Sequence, residues 1–351
     1  MGKSFAVAAL IVGMIVGAGF VSGREIISFF GANASPWTAV PIAAFIFCVS
    51  ALFLFIGARV NAKNISEVNQ KLAGKYHVVA DAFLLVNSFI VLAGMLAAMD
   101  SLGARVFLPV KPAYSIAAGI LCVFMVLKGV KGLIHCNKAI VPVMAAALVF
   151  VGVFTVAAAG GGIGVGGSAF RLGAAVVYVC MNMVLVSTVI TTMGRMEAKT
   201  ILSSSAIAAV FMGGLVFVLI GALNAWGETS ADMPVLEMAQ AVHPALYYGM
   251  AAVIAASIFT TMLAAMNGLA AWFEGIFGNK LFSAFVILAG GFILSNLGFA
   301  NVVKYLYPVI GVLGIAYTAL GTVFAVRSLP IRFKIIKNRM RNVNLAECKF
   351  K

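Results

Sequence analysis

Ten apolar runs separated by short polar connections make up most of the chain, and each is about as long as a membrane-spanning helix needs. In lipid, only helices and closed barrels satisfy every backbone hydrogen bond, and runs of this length exclude the barrel. The pattern therefore predicts an all-α membrane protein with ten transmembrane helices, named here spans 1 to 10. They fall at about 4–30, 37–60, 78–103, 112–128, 139–159, 169–193, 200–226, 244–273, 280–297 and 301–327.

Three of the connections between the runs have features of their own. Residues 61–76 predict a small amphipathic helix, and the connection 227–243 holds three acidic residues. The glycine-rich run "GGGIGVGG" at 160–167 lacks the Lys–Ser/Thr of a phosphate-binding loop, so we expect a flexible connection.

The stretch "GMIVGAGFVSGREI", residues 13–26, interrupts the apolar pattern of span 1. It contains Gly13, Gly17, Gly19 and Gly23. Glycine weakens a helix, and unwound backbone within a membrane is tolerated where it faces protein or a water-filled cavity. The same spacing of glycines also permits close packing of helices. The adjacent Arg24 and Glu25 favour the break and a binding site, because charges within a span usually have a functional role.

Span 8 carries a cluster of hydroxyl groups in "AASIFTTMLAAMNG". Ser257, Thr260 and Thr261 are three and four residues apart, so they share one face of the helix at about the depth of Gly17 in span 1. Hydroxyl oxygens at that depth suit a small hard cation such as sodium. The alternative is local, since Ser and Thr side chains often bond to the backbone of their own helix.

The composition supports a membrane protein and indicates its orientation. Hydrophobic residues make up 63% of the chain and charged residues 10%, against about a quarter charged in soluble domains. With the N-terminus inside, 19 of the 24 Lys and Arg residues fall on the inner side and four outside, with Arg24 left in the membrane. We therefore expect a multi-pass cell-membrane protein with both termini cytoplasmic. The basic residues lie between apolar runs and in the tail, so the net charge of +14 does not indicate nucleic-acid binding.

Ten spans divide into two sets of five, and an odd number of helices per set predicts inverted topology, as in many secondary transporters. We expect a first repeat at 1–159, a second repeat at 160–327 and a basic cytoplasmic tail at 328–351. The segment "GAGFVSGREIISFFG" resembles the first-helix signature of the YkvI-like bacterial membrane proteins of the amino acid–polyamine–organocation transporter superfamily. This resemblance implies the LeuT-type 5+5 fold, in which helices 1 and 6 are broken and the substrate lies between them.

The resemblance also implies particular site residues if residues 17–19 match the Gly–x–Gly break of LeuT-type transporters. The sodium ligands would be two carbonyls of span 1, one carbonyl of span 8 and two hydroxyls of span 8, namely those of Gly13, Val16, Ser257, Thr260 and Thr261. The backbone of Gly17, Ala18 and Gly19 would face a substrate carboxylate. A further sodium site of those relatives is not implied here, because its asparagine ligand corresponds to Phe20.

Several positions depart from that pattern and leave alternatives open. Span 6 has no central glycine, and Asn182 either lines the site or bonds between helices. Tyr178 is a further substrate-binding candidate. Arg24 stands where the YkvI-like proteins tend to have glutamine. It acts either as an outer gate or carboxylate anchor, or as a structural ion-pair partner of the neighbours of Glu25 or of Asp100.

These observations predict a sodium-driven secondary transporter of a small organic solute, with an amino acid as the expected substrate. The partners are then the solute, sodium and membrane lipid, with no nucleic acid and no cofactor. The chain has no nucleotide-binding motif or nucleophile–base pair, and its five cysteines fit neither a zinc site nor a disulfide framework, so we do not expect an enzyme. One alternative is a nutrient-sensing subunit like those of spore-germination receptors, which binds its ligand without accumulating it. Another is an uncoupled channel.

Overall fold

A computed structural model describes residues 2–31, 33–160, 171–227 and 231–347. Seven helices in it are long and apolar enough to cross a membrane, and three shorter apolar helices complete the set of ten spans. The described residues contain no strand. Span 1 consists of three helical pieces, Gly2–Ile15, Ala18–Val21 and Arg24–Phe30. Spans 2 to 9 are single helices, in order Ala39–Val60, His77–Val106, Ala113–Val126, Gly129–Ala158, Leu172–Ile190, Ala198–Trp226, Pro244–Phe277 and Lys280–Ser295. Span 10 runs through Phe299–Asn301, Val302–Leu306 and Tyr307–Glu347.

The predicted ten-helix architecture is therefore confirmed. The positions of the helices follow from hydropathy, since each span overlaps the apolar run that predicted it. Span 10 continues as helix into the predicted tail as far as Glu347. Residues 161–167 of the glycine-rich connection, Glu228 and Cys348 lie outside the described residues.

Span 1 is interrupted where its glycines cluster. The first helix ends at Ile15, and the Gly17 N–H donates to the Ile15 carbonyl at 2.8 Å instead of reaching back four residues to Gly13. A second interruption follows at Gly23, whose φ of 83° lies in the left-handed region that favours glycine. The break predicted in span 1 is thus present, and it releases the Gly13 carbonyl from the usual helical pattern.

Span 6, in contrast, is one continuous helix from Leu172 to Ile190, so the break expected there is not present. No glycine or proline lies in its central turns. The Asn182 side chain donates its Nδ2 hydrogen to the Tyr178 carbonyl at 3.1 Å, within its own helix. Asn182, the only sequence sign of a break in span 6, therefore bonds to the backbone of an unbroken helix.

Within the described residues, two short α-helices lie outside the spans. The amphipathic helix predicted within 61–76 spans Ile65–Ala73, and Asn64 caps it by accepting a hydrogen bond from the Glu67 N–H at 2.9 Å. The helix Pro234–Val242 lies in the connection between spans 7 and 8. It is attached to span 1, because the Val235 N–H donates to the Ser22 carbonyl at 3.0 Å.

Candidate functional site

A small cavity lies where the break in span 1 meets spans 3, 6, 8 and 10. Its walls combine apolar side chains with amide, carboxyl and hydroxyl groups. About 20 Å³ is open to the centres of water molecules, and one water needs roughly 10–15 Å³ of such space. The cavity therefore admits a water-sized guest in this conformation, and an amino-acid-sized solute requires its walls to move. The lining residues are Met14, Ile15, Gly17, Glu25, Asn87, Val91, Met95, Met181, Asn182, Leu185, Thr261 and Tyr307.

Glu25 is the only ionisable carboxyl group among these lining residues. Its side chain is 3% exposed, and its Oε2 atom has no hydrogen-bond partner among the described residues. The carboxyl group folds back over Gly19, where an added Cβ atom would overlap it. The sequence analysis treated Glu25 as the charged neighbour of Arg24 and did not name it as a site residue. Consecutive residues of a helix do not face each other, so the sequence already indicated that the Arg24 and Glu25 side chains point in different directions.

Arg24, the predicted gate, points away from the cavity. Its Nη1 donates to the carbonyl of Ala231, in the connection before the helix Pro234–Val242, at 3.1 Å. The alternative ion pair with Asp100 does not form, since the Asp100 carboxylate accepts from the Ser115 N–H at 2.9 Å and from the Ser115 hydroxyl at 2.7 Å. Arg24 thus ties span 1 to the connection between spans 7 and 8, and its role as a gate stays a prediction.

Two of the predicted cation-ligand residues of span 8, Ser257 and Thr261, contact the break in span 1. The Ser257 hydroxyl donates to the Val16 carbonyl at 2.6 Å, which joins the two spans directly. The Thr260 hydroxyl donates to the Ser257 carbonyl at 3.0 Å, the local bond that the alternative interpretation expects. The Thr261 hydroxyl is buried without a partner among the described residues, 3.0 Å from where a Cβ of Gly17 would lie. Hydroxyl and carbonyl oxygens that take part in one bond keep a further lone pair for a cation.

Asn137 of span 5 adds a polar group that the sequence interpretation missed. Its side chain is fully buried, and neither its Oδ1 nor its Nδ2 has a partner among the described residues. The amide packs on Gly13, with Oδ1 2.5 Å from where a Cβ of that glycine would lie. Asn137 stands between His135 and Lys138, before the predicted start of span 5 at 139, so its sequence context did not indicate a buried position.

Of the other predicted substrate residues, Asn182 lines the cavity, whereas Ala18, Gly19 and Tyr178 are not among its lining residues. Tyr178 packs edge-on against Phe29 and Phe30 with ring centroids 5.4 and 5.6 Å apart. The Tyr178 hydroxyl is buried without a partner among the described residues. Tyr307 enters the cavity directly after the π-helical turn Val302–Leu306 of span 10, and such turns are frequent at functional sites.

Comparison with known sequences gives distant relatives. No protein-family profile matches the chain. It is 24% identical over 333 residues to the uncharacterised protein YyaD of Bacillus subtilis (strain 168), covering 87% of this chain and 92% of YyaD. It is also 24% identical over 344 residues to the uncharacterised membrane protein YkvI of the same organism, covering 90% of this chain and 94% of YkvI.

Comparison with solved structures identifies the fold. The transporter MhsT, solved in complex with L-phenylalanine, matches with a TM-score of 0.67 at 17% identity over 92% of this chain and 88% of MhsT. A Na⁺-coupled sialic acid symporter matches with a TM-score of 0.65 at 13% identity, over 92% and 78% of the two chains. Mhp1, a nucleobase-cation-symport-1 family transporter, matches with a TM-score of 0.64 at 16% identity, over 88% and 74%. The chain is thus a multi-pass membrane protein with the LeuT-type transporter fold, weakly homologous to YyaD and YkvI.

Proposed function

We propose that this protein is a sodium-coupled secondary transporter of a small organic solute, with an amino acid as the expected substrate. The solute occupies the cavity at the break in span 1. Sodium binds beside it, between carbonyl oxygens of span 1 and the oxygen ligands of span 8. The chain lies in a bacterial cell membrane with both termini in the cytoplasm.

The observation that carries this proposal is the meeting of oxygen atoms from two spans at a helix break. Ser257 already bonds to the Val16 carbonyl, and the Thr261 hydroxyl is buried there without a partner in the described structure. Leaving a buried hydroxyl unpaired costs about 1–3 kcal/mol, so such a group is usually explained by a function or an unseen partner. A sodium ion supplies that partner, since it prefers hard oxygen ligands.

The geometry also gives a reason for coupling between ion and solute. Gly17 and Thr261 both line the cavity, and both border the proposed ion site. An ion that holds span 1 against span 8 stabilises the conformation in which the solute site is formed. By thermodynamic reciprocity, the solute then raises the affinity for sodium by the same factor.

The test is a thermal-shift screen of amino acids on the purified protein, in sodium and in choline chloride. A ligand stabilises a protein by about 2.7 kcal/mol at a hundredfold excess over its Kd. We expect at least one amino acid to raise the unfolding temperature more in sodium than in choline. Hits are then assayed for uptake into proteoliposomes. Binding without uptake supports the nutrient-sensing alternative, and an equal response in both salts contradicts sodium coupling.

A further inference from the structure

The carboxyl group of Glu25 has no counter-charge in the cavity that it lines. The remaining lining side chains are apolar or neutral, with no Lys, Arg or His among them. The adjacent Arg24 is directed to the Ala231 carbonyl instead. A buried carboxylate is costly unless it is paired, and within a membrane span such a group usually marks a functional site. The cavity is therefore arranged to receive a positive charge.

Neutral polar groups surround the same point. The Thr261 hydroxyl and the Tyr178 hydroxyl are each buried without a partner among the described residues, and Thr261 lines the cavity with Glu25. An ammonium group donates three hydrogen bonds and needs acceptors around it. The Glu25 carboxylate and the hydroxyl oxygens supply acceptors, and the small open volume matches an ammonium head.

The position of Glu25 also bears on where a substrate carboxylate can bind. The sequence interpretation placed that carboxylate at the backbone of Ala18 and Gly19. The Glu25 side chain covers Gly19 so closely that an added Cβ would overlap it. A second carboxylate at this place would meet a like charge, which is unfavourable in a buried site.

We propose that Glu25 binds the ammonium group of the transported solute, so that the cargo is an amine or a zwitterion bound through its amino end. This inference rests on the proposed function. It assigns the substrate class by charge: solutes with a free ammonium group bind, and anions of the same carbon skeleton do not. The apolar wall of Met14, Ile15, Val91 and Leu185 receives the remainder of the solute.

The experiment uses matched sets of probes on the full-length protein. Leucine, isopentylamine and isocaproate share one skeleton, as do phenylalanine, phenethylamine and hydrocinnamate, and alanine, ethylamine and propionate. Binding is measured by thermal shift in sodium for the wild type, for Glu25→Gln and for the control Glu237→Gln. Glu237 pairs with Arg105 outside the cavity, at 3.2 Å.

We expect every probe that stabilises the wild type to carry an ammonium group. Glu25→Gln should weaken its binding by about tenfold to a hundredfold, the range for a lost charge-assisted hydrogen bond, while Glu237→Gln leaves it unchanged. The variant should remain folded, because glutamine keeps the shape of the side chain. The rise of its unfolding temperature on adding sodium, measured without solute, checks that the variant is folded.

Four results overturn the proposal. The first is an anionic probe that binds as well as its amine, and the second is an amine that binds Glu25→Gln as tightly as the wild type. The third is a set in which no ammonium probe binds. The fourth is a Glu25→Gln variant that loses its sodium response but keeps amine binding, which would assign the carboxylate to the ion. Failure of the transport proposal looks different: the amine binds through Glu25, yet it does not enter proteoliposomes.

Discussion

Thr261→Val removes a buried hydroxyl group while keeping the branched shape of the side chain, and the proposed ion site predicts opposite effects with and without sodium. The Thr261 hydroxyl has no partner among the described residues. In sodium-free buffer, replacing it should stabilise the protein by up to the cost of an unsatisfied buried group, about 1–3 kcal/mol. In sodium the variant lacks a ligand, and a bond to a charged group contributes about 1.5–3 kcal/mol.

The second figure converts to an ion affinity about tenfold to a hundredfold weaker, since each 1.4 kcal/mol is a factor of about ten. The assay is the unfolding temperature over a sodium titration in a choline background. The variant should begin with a higher unfolding temperature than the wild type and should need far more sodium for the same further rise. Thr261→Ser keeps the oxygen and should be milder.

Thr155→Val is the matched control for this prediction. Thr155 is a buried threonine of span 5 whose hydroxyl donates to the Val151 carbonyl at 2.8 Å. Losing that bond should cost about 0.5–1.5 kcal/mol and leave the sodium titration unchanged. The reasoning is refuted if Thr261→Val behaves like this control, because the Thr261 hydroxyl would then be bonded within the protein.

Gly19→Val should abolish uptake while leaving folded protein in the membrane, because its side chain displaces the Glu25 carboxyl group; normal uptake would remove Gly19 from the site. Gly57→Ala should lower the amount of folded protein seen by size-exclusion chromatography, since the new Cβ would lie 2.7 Å from the Thr191 backbone oxygen. Gly214→Ala, in an open position of span 7, should be neutral or stabilising by about 0.5–1 kcal/mol, and an equal loss in both variants would contradict the packing argument. Cys348, as the single cysteine in an otherwise cysteine-free chain, should resist an impermeant thiol reagent applied to intact cells, because the charge bias places the tail inside. Labelling of Cys348 from outside would contradict the predicted cytoplasmic position of the C-terminus.

The spans and the break in span 1 were predictable because they depend on local properties. Hydropathy determines where a helix can cross lipid, and the glycines from Gly13 to Gly23 weaken the helix wherever it lies. Asn182 shows the limit of this reasoning. Its amide was the sign of a break in span 6, yet it bonds to the Tyr178 carbonyl of an unbroken helix. A single polar residue in a span does not show whether the helix is broken there or whether the side chain bonds to the backbone of an intact helix.

The charges at the site were harder to predict, because they depend on which way neighbouring side chains turn. Arg24 and Glu25 are consecutive in sequence, but one reaches the Ala231 carbonyl and the other enters the cavity. The left-handed backbone at Gly23 directly precedes the helix Arg24–Phe30 that carries both side chains. Asn137 was missed for a similar reason, since its importance comes from packing on Gly13, 124 positions away in sequence.

The most direct test of the account is accumulation of the solute against its own gradient. Proteoliposomes containing the purified protein are given an inward sodium gradient and a labelled amine or amino acid identified by thermal shift. The account predicts a transient internal concentration above the external one, lost when a sodium ionophore collapses the gradient and absent in choline. Entry that only equilibrates, or accumulation that ignores sodium, would contradict it.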